Sequence, residues 1–438
     1  MKNSQYLIPI SLFSVFIFFI SGCTDQVLQS TVTYTVMEPV YLSPQEIRET
    51  AEVVSPEDLS NTGRVYLYNN YIFVNEQGKG VHVINNLNPE KPVVESFINL
   101  PGNYNMSVKG DIMYADSYMD LVAIDISNLD NIRIVDRIEN IFTNFNQNTN
   151  EFYDPELGVI VDWAEVQTIE VSEEDFLKNN NAYFRYGSGF AFMGNFEDAS
   201  RASQAMIAPT GGSTGIGGSM ARFTINGNHL YSIDNSRLYV FDITNLGNPV
   251  AISNSEIGWG IETIFPYQDK LFIGSQTGMY IYDISNPTAP LQLSVYQHIQ
   301  SCDPVVVQDT IAYVTLRGGA NCRNDFTNQL DVIDISDPAR PKWLATHLMQ
   351  NPHGLGIDGN TLFICEGDFG LKIFDASDHY KISNSMISHF NGMDAYDVIP
   401  FNDILILIGE DGLYQFDYSD PEDIKMISGI AVTNAPAN

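Results

Sequence analysis

The stretch MYIYDISNPTAP at residues 279–290 decides the fold, because variants of it recur along most of the chain. It combines a strand that is apolar on both faces with a proline-containing turn that begins at Asp283. A strand with two apolar faces is typical of a sheet packed between two other sheets. The stretch therefore predicts stacked sheets joined by repeated turns.

The acidic position of this stretch occurs seven times, with an amide in the first copy. The copies are Asn85, Asp125, Asp242, Asp283, Asp334, Asp375 and Asp417, at spacings of 40, 117, 41, 51, 41 and 42 residues. Apart from one large gap, this is the period of a four-stranded propeller blade. A second apolar strand precedes each copy, as at residues 271–274, and an outer strand follows it, as at residues 291–296. We predict an all-β fold, a seven-bladed β-propeller of four-stranded blades.

We interpret the repeated acidic residue as structural rather than catalytic. It stands where the strand ends, usually before Ser or Thr, and there a carboxylate accepts backbone N–H groups of the turn. Asn85 supports this interpretation, because an amide oxygen accepts the same bonds without a charge. Gly, Asn and Asp precede the second strands, and these residues tolerate the positive φ of tight hairpins.

With these copies the chain resembles the LVIVD-repeat family of β-propeller lipoproteins. The resemblance is carried by LDVIDISDP at residues 330–338 and LYVFDITN at residues 238–245, and it covers roughly residues 63–432 apart from the gap. It implies the propeller fold, while the family brings no established activity. The sixth copy has DHY at residues 378–380 in place of the proline turn, and Tyr418 departs from the pattern in the seventh. We expect weaker turn chemistry there and an unchanged number of blades.

The N-terminus predicts export and a lipid anchor. The apolar run from Leu7 to Ile20 would span about 21 Å as a helix, which suits a signal peptide better than a membrane span. ISGC at residues 20–23 resembles the bacterial lipoprotein box, which implies that Cys23 carries the lipid and becomes the first mature residue. An ordinary cleaved signal peptide is the alternative. Asp25 is the third mature residue rather than the second, so we expect the outer membrane or cell surface.

The chain is predicted to divide into a lipoprotein signal peptide at residues 1–22, a lipidated tether at 23–62 and the propeller at 63–438. In the tether, residues 31–40 alternate like a strand, and Ser43 with Glu46 predicts a capped helix start.

The large gap is an insertion at about residues 141–219, between blades 2 and 3, and it is far longer than an ordinary loop. We interpret it as a partly ordered lid over the channel mouth, with one or two strands at residues 157–171. Its glycine-rich exit, residues 211–218, invites comparison with a phosphate loop. Because it lacks the Gly-Lys-Ser/Thr ending, we interpret it as a hinge or linker.

Composition limits the partners. The chain has 54 Asp+Glu against 21 Lys+Arg and a net charge of -33, so nucleic acid and bare anionic membrane surfaces are not expected partners. With 44% hydrophobic and 12% aromatic residues, the composition is that of a chain with a packed core. We find no His-Glu-x-x-His, Cys-x-x-Cys or EF-hand pattern, and predict neither a metal site nor a cofactor.

In such a propeller, the loops entering the innermost strands and those leaving the second strands share one face around the central channel. We call this the channel face, and the insertion opens there. The candidate ligand-binding residues on it are Tyr104, Asp116, Arg222, Trp259, Asp303, Arg317, His353, Glu366, Asp368 and Glu410. Trp259 and Tyr104 suit stacking on a sugar ring, but ordinary packing is the favoured interpretation of an aromatic residue at a channel mouth. A cation or sugar site would require Asp303, His353 and Glu366 to converge, and no catalytic residue is assigned.

The cysteines left after lipidation predict one disulfide. Cys302 precedes an inner strand and Cys322 follows its antiparallel partner, so the two lie within reach of a bridge outside the cytoplasm. Cys365 is interpreted as a small packed hydrophobe near the same face.

We interpret the protein as a membrane-anchored, extracytoplasmic binding or scaffolding module for a glycan, peptide or partner protein. The alternative is a glycan-active hydrolase or lyase that uses Asp303, His353, Glu366 or Arg317. A purely structural role in an envelope complex would need a large exposed apolar patch. Propellers serve all three roles, so the fold alone does not decide among them.

Overall fold

The computed structural model describes residues 31–142, 153–154, 157–172, 190–192, 214–299, 301, 304–318 and 328–433. These residues fall into two compact units. The larger contains the described parts of residues 40–162 and 195–438, and the smaller those of residues 1–39 and 163–194. No helix among the described residues is long and apolar enough to cross a membrane.

The segment before the blades contains β1 (Thr31–Leu42), α1 (Pro44–Glu49) and β2 (Glu52–Val54). Blade 1 contains β3 (Thr62–Tyr68), β4 (Tyr71–Glu76), β5 (Gly80–Asn85) and β6 (Val93–Asn99). Blade 2 contains β7 (Met106–Lys109), β8 (Ile112–Ser117), β9 (Asp120–Asp125) and β10 (Arg133–Ile138). The insertion contains β11 (Tyr153–Asp154), β12 (Gly158–Ser172), β13 (Phe190–Phe192) and β14 (Ile216–Gly217).

Blade 3 contains β15 (Phe223–Asn226), β16 (His229–Ile233), β17 (Arg237–Asp242) and β18 (Val250–Glu256). Blade 4 contains β19 (Ile261–Tyr267), β20 (Lys270–Ser275), β21 (Gly278–Asp283) and β22 (Leu291–Gln297). Blade 5 contains β23 (Val305–Gln308), β24 (Ile311–Leu316), β25 (Gln329–Asp334) and β26 (Lys342–Leu348). Blade 6 contains β27 (Leu355–Asp358), β28 (Thr361–Cys365), β29 (Leu371–Asp375) and β30 (Met386–Phe390). Blade 7 contains β31 (Asp397–Phe401), β32 (Ile404–Gly409), β33 (Gly412–Asp417) and β34 (Lys425–Ala431).

The larger unit is the predicted all-β, seven-bladed propeller. Each blade has four sequential antiparallel strands, from the channel outward, and blade 1 gains β14 on its inner edge and β2 on its outer edge. The third strand of a blade is apolar on both faces, as predicted. In β21, Met279 and Ile281 pack in the apolar cluster that includes blade 5, whereas Tyr282 packs in the cluster shared with blade 3. The core therefore lies between the blades.

The repeated acidic position makes the predicted turn bond in all seven blades. In each, the side-chain oxygen accepts the backbone N–H two residues ahead over 2.7–3.0 Å. Bonds from Ser285 lower the pKa of the Asp283 carboxyl. Asp375 and Asp417 also make this bond. The turns of the sixth and seventh copies, which were expected to be weaker, therefore keep this hydrogen bond.

The inner hairpins have the left-handed backbone that their sequences predict. Gly227 has φ 56° and Asp309 has φ 54°, both at hairpin turns between the first and second strands of a blade. Every outer strand also has a β-bulge opposite the third strand. The residues skipped by the pairing are Glu95, Val135, Ile252, Leu293, Leu344, Ile387 and Ile427. Bulges disfavour pairing of a sheet edge with other chains.

The helix predicted at Ser43 is confirmed as α1. Ser43 caps it, and its side chain and that of Glu46 form the reciprocal bonds of a capping box. Arg48 of this helix forms two hydrogen bonds with Asp120 of blade 2, over 2.7 and 3.0 Å. Ile47 packs with Tyr118 in a small buried cluster. The helix is therefore fixed to the channel face of blade 2.

A further sheet has the strand order β11-β12-β1-β13 and joins the N-terminal segment to the insertion. The strands predicted at residues 31–40 and 157–171 correspond to β1 and β12. Much of the insertion, residues 143–152, 173–189 and 193–213, lies outside the described residues. The lid over the channel mouth therefore stays a prediction.

Candidate functional site

The exit of the insertion, Thr214–Ala221, lies inside the central channel, and we call it the channel plug. Its strand β14 pairs antiparallel with the inner edge of β3, with Ile216 opposite Leu67. Gly215 N–H donates to the Val108 carbonyl of blade 2 over 2.9 Å. The hinge or linker expected at residues 211–218 is therefore wrong for the described part of that segment. Local sequence gave no sign of these partners, because they are more than 100 residues away in the chain.

Glycine is required in the plug because its backbone lies against the Tyr66 ring. A Cβ on Gly215 would lie 2.2 Å from Cε1 of Tyr66, and one on Gly217 would lie 2.9 Å from Cδ2. The Tyr66 hydroxyl donates to the Gly215 carbonyl over 2.9 Å. Burial raises the pKa of Tyr66 to about 12, so the phenol stays a neutral donor.

The C-terminal end of the plug is held by other blades. Arg64 of blade 1 donates from Nε to the Met220 carbonyl over 2.9 Å, and Ile264 N–H of blade 4 donates to the Ala221 carbonyl over 2.8 Å. Leu355 N–H of blade 6 donates to Ser219 Oγ over 3.4 Å. The plug therefore connects inner strands from different sides of the ring.

Two arginines lie beside the plug. Burial, with the positive charge of Arg222 nearby, lowers the pKa of Arg64 to about 10. Arg222 donates to the carbonyls of Glu262 and Ile261 over 3.1 and 3.3 Å. A cavity of about 10 Å³ remains between these side chains and the plug, which is the volume that a single water needs.

Asp116 of β8 and Tyr104 of the loop before β7, both candidates from the sequence, are in contact. The Asp116 carboxylate accepts the backbone N–H groups of Tyr104 and Asn105 over 2.7 and 2.8 Å. Burial raises the pKa of Asp116, although these bonds favour its ionised form. Its carboxylate therefore fixes the loop from within.

Glu366, just after β28, fixes the loop before β27, which also contains His353. Glu366 accepts the N–H groups of Gln350 and Asn351 over 2.8 and 3.2 Å, and Lys372 Nζ lies 3.1 Å from it. The His353 ring stacks on Tyr396 with centroids 5.2 Å apart. Burial and the Arg317 charge hold the pKa of His353 well below its usual range, so the ring is neutral.

Asp303 lies outside the described residues, so its convergence with His353 and Glu366 stays a prediction. The same holds for the Cys302–Cys322 disulfide and for lipidation of Cys23. Cys365 is buried and free. Across the described ranges, no three His, Cys, Asp or Glu side chains are grouped so that they could hold a metal ion.

Trp259 projects from the channel face. Its side chain is 56% exposed, in the loop between β18 and β19. Gly260 follows with φ 67°, which favours glycine, and its carbonyl accepts Gln276 N–H over 2.9 Å. Before the tryptophan, Ile257 N–H donates to the Ser236 carbonyl over 2.9 Å. The loop is therefore pinned on both sides of an exposed indole.

Asp368, Asp394 and Glu410 lie together where blades 6 and 7 meet on the channel face, and we call them the acidic rim. The Tyr396 hydroxyl donates to Asp394 and Glu410 over 3.2 and 3.0 Å. Burial, followed by the charges of Asp368 and Glu410, raises the pKa of Asp394 to about 7. The local potential is therefore negative.

The loops that hold the acidic rim are fixed to each other. Gly367 and Ala395 exchange backbone hydrogen bonds of 2.9 and 3.0 Å between blades 6 and 7. Phe369, next to Asp368, is 43% exposed. The sequence placed Asp394 on this face, whereas Phe369 and Tyr396 were not selected, although they lie in the same two sets of loops.

Comparison with known proteins identifies the repeat. Residues 103–138, 268–297 and 314–346 match the family model described as the LVIVD repeat. The chain carries LVIVD repeats. The matched stretches lie in blades 2, 4 and 5. Tyr104, Asp116 and Arg317 fall within these LVIVD stretches, whereas the channel plug, Trp259 and the acidic rim do not.

No curated protein matches the sequence of this LVIVD-repeat chain. Among solved structures, it is similar to the Pseudomonas aeruginosa periplasmic gluconolactonase PpgL, with 9% identity, a TM-score of 0.49, and coverage of 93% of this chain and 98% of that one. It is also similar to the computationally designed Ika8 protein, with 9% identity, a TM-score of 0.48, and coverage of 87% of this chain and 92% of that one. BamB from Moraxella catarrhalis has 9% identity, a TM-score of 0.43, and coverage of 88% of this chain and 97% of that one. Similarity at this level does not bear on function.

Proposed function

We propose that the protein is an extracytoplasmic binding module whose channel face binds a basic segment of a partner protein. The observation that carries this proposal is the acidic rim. Burial, followed by the charges of Asp368 and Glu410, raises the pKa of Asp394 to about 7, so a cationic side chain placed among these carboxylates would relieve their mutual repulsion.

Exposed aromatic rings on the same face support a basic ligand. Phe369 is 43% exposed beside Asp368, and Trp259 is 56% exposed on the blade 4 loop. Aromatic faces attract Lys and Arg by cation–π interaction, and Trp is the strongest of them. The net charge of -33 adds long-range attraction for a basic partner.

The buried polar groups of the face are bonded within its own loops, which supports binding at its outer surface. Asp116 and Glu366 fix loops through backbone N–H groups, and Arg222 is bonded to backbone carbonyls. A binding module is therefore favoured over the glycan-active hydrolase or lyase that the sequence left open.

The test measures binding of a fluorescent peptide of alternating Lys and Gly to the full chain, at low and high salt. The Asp368→Asn/Glu410→Gln variant should lose about tenfold in affinity, which corresponds to about 1.4 kcal/mol. Trp259→Ala should weaken binding further if the segment reaches blade 4. The matched control, Glu422→Gln/Asp423→Asn, removes the same charge from an exposed turn on the opposite face of blade 7.

Equal loss in the rim variant and the control would show that only net charge matters and would overturn the proposal. Binding of neutral oligosaccharides instead of the basic peptide, abolished by Trp259→Ala, would assign the face to a glycan. Binding that survives in high salt would also count against an ionic interface.

We also propose that a lipid on Cys23 anchors this module to the outer membrane or cell surface, on the strength of the ISGC motif at residues 20–23. Metabolic labelling with an alkyne fatty acid should mark the wild-type chain and leave Cys23→Ser unlabelled. Recovery of the Cys23→Ser chain in the membrane fraction at wild-type yield would contradict the anchor.

A further inference from the structure

We infer that the inner edge of β3 is a strand-acceptor site, filled in cis by the channel plug, which takes an extended partner segment with the pattern glycine–apolar–glycine. This site is separate from the acidic rim and does not depend on the ligand proposed there.

The acceptor offers main-chain groups of two blades. Ile216 and Gly217 pair antiparallel with Leu67 and Tyr66, and Gly215 donates to the Val108 carbonyl. Bonds of this kind are made by any extended backbone, which is how a peptide adds to the edge of a sheet.

Side chains of the acceptor select the pattern. The Tyr66 ring would lie 2.2 Å from a Cβ at position 215 and 2.9 Å from one at position 217, so both positions require glycine. Ile216, between them, is 5% exposed and belongs to the same apolar cluster as Leu67. The segment that fits has glycine, an apolar residue and glycine in succession.

The plug can leave without dismantling a blade. All seven blades have four strands of their own, and blade 1 keeps β3 to β6 when β14 is removed. Only two plug residues are paired as a strand, and glycine loses more conformational entropy on ordering than any other residue. The bonds at Met220 and Ala221 mark the point where the displaced segment stays attached.

Attachment to the same chain protects the plug from weak competitors. A tethered segment competes at an effective concentration in the millimolar range. The wild-type chain should therefore bind a free peptide poorly, and loss of the plug from its site should expose the acceptor.

The experiment uses the full chain and a fluorescent peptide with the sequence STGIGGS of residues 213–219, which ends before the attached residues Met220 and Ala221. Gly215→Val should expel the plug through its clash with Tyr66 and leave the acceptor intact. Gly247→Val is the matched control, because a Cβ there meets only Val135 Cγ2 at 3.8 Å. Binding to Gly215→Val should be at least about tenfold tighter than to the wild type or the control, and a peptide with valine at its first glycine should not bind.

Failure of the peptide to bind a folded Gly215→Val chain would overturn the acceptor site. The Asp368→Asn/Glu410→Gln changes, added to Gly215→Val, should leave peptide binding unchanged, which separates this result from the test of the acidic rim. If Gly215→Val does not fold, hydrogen exchange in the wild-type chain tests whether the plug can leave its site. The Gly215 amide should exchange at least about a hundredfold faster than the Phe73 amide in β4, through local opening, and exchange of both at the same rate would refute the inference.

Discussion

Asn86 of blade 1 and Gln415 of blade 7 exchange two side-chain hydrogen bonds across the seam where the first and last blades meet. Nδ2 of Asn86 donates to Oε1 of Gln415, and Nε2 of Gln415 donates to Oδ1 of Asn86, each over 2.8 Å. Gln415 is fully buried and Asn86 is 8% exposed. Since each blade is built from its own stretch of chain, side-chain pairs such as this one help to close the ring.

We predict that Gln415→Leu destabilises the propeller by about 1–3 kcal/mol, because it leaves the Asn86 amide buried without its partner. Chemical denaturation followed by tryptophan fluorescence measures the loss. The double variant Asn86→Leu/Gln415→Leu should recover part of it, since neither amide is then stranded. Additive losses in the double variant would show that the two amides do not act as a pair.

The turn bond of the repeat gives a second prediction. Asp283→Asn keeps an oxygen that accepts Ser285 N–H, now 2.7 Å from Asp283 Oδ1, and should leave the melting temperature nearly unchanged. Asp283→Leu removes the acceptor and should lower the melting temperature. The expected loss in the free energy of unfolding is roughly 1 kcal/mol or less at this exposed turn. Thermal unfolding of both variants checks this. Equal losses would mean that the charge, rather than the acceptor, stabilises the turn.

The blades could be predicted from the sequence because each is local. A blade pairs strands that follow one another, and its signals, the two-faced apolar strand and the Asx turn, lie within about 40 residues, the usual length of such a repeat. Asn85 and Asp283 make the same bond for the same local reason. The departure at residues 378–380 leaves the turn bond of its blade intact, since Asp375 accepts the Ser377 N–H before the chain reaches them.

The channel plug could not be predicted because its partners are distant. Tyr66 precedes Gly215 by 149 residues, and three glycines in a short segment are equally typical of a linker. For the channel face, the sequence placed the candidate residues in the correct loops. It did not show which of their side chains are buried in hydrogen bonds within those loops. Glu366 and Asp368 are two residues apart, yet the first is buried on backbone N–H groups and the second is exposed on the acidic rim.

Glu76 gives a prediction for the stability of the propeller at acidic pH. Burial opposes its ionisation, but bonds from His82, Ser60 and Asn61 outweigh burial and lower its pKa to about 2 from an ordinary 4.5. A depressed pKa contributes stability above the ordinary value, and that stability is lost as pH falls toward 2.

Glu76→Gln should therefore cost about 2–3 kcal/mol at pH 7. The difference from wild type should shrink steadily below about pH 4.5. Glu90→Gln, at an exposed turn in the same blade, is the control and should be neutral at every pH. Denaturant titrations across pH measure both, and a Glu76→Gln deficit independent of pH would rule out the carboxylate charge as its source.

Asp394 should give the opposite dependence on pH. Its folded-state pKa of about 7 lies above its ordinary 3.8, so the folded state holds this proton and stability falls as pH rises from about 4 to 7. Asp394→Asn keeps a partner for the Tyr396 hydroxyl and removes the repulsion from Asp368 and Glu410. It should be more stable than wild type at pH 8, by on the order of 1–2 kcal/mol once solvent screening is allowed for, and equal to it below pH 4. Asp58→Asn, at an exposed position, is the control. Thermal unfolding at each pH measures the difference, and a gain that persists at pH 4 would place its origin in packing rather than in the charge of the acidic rim.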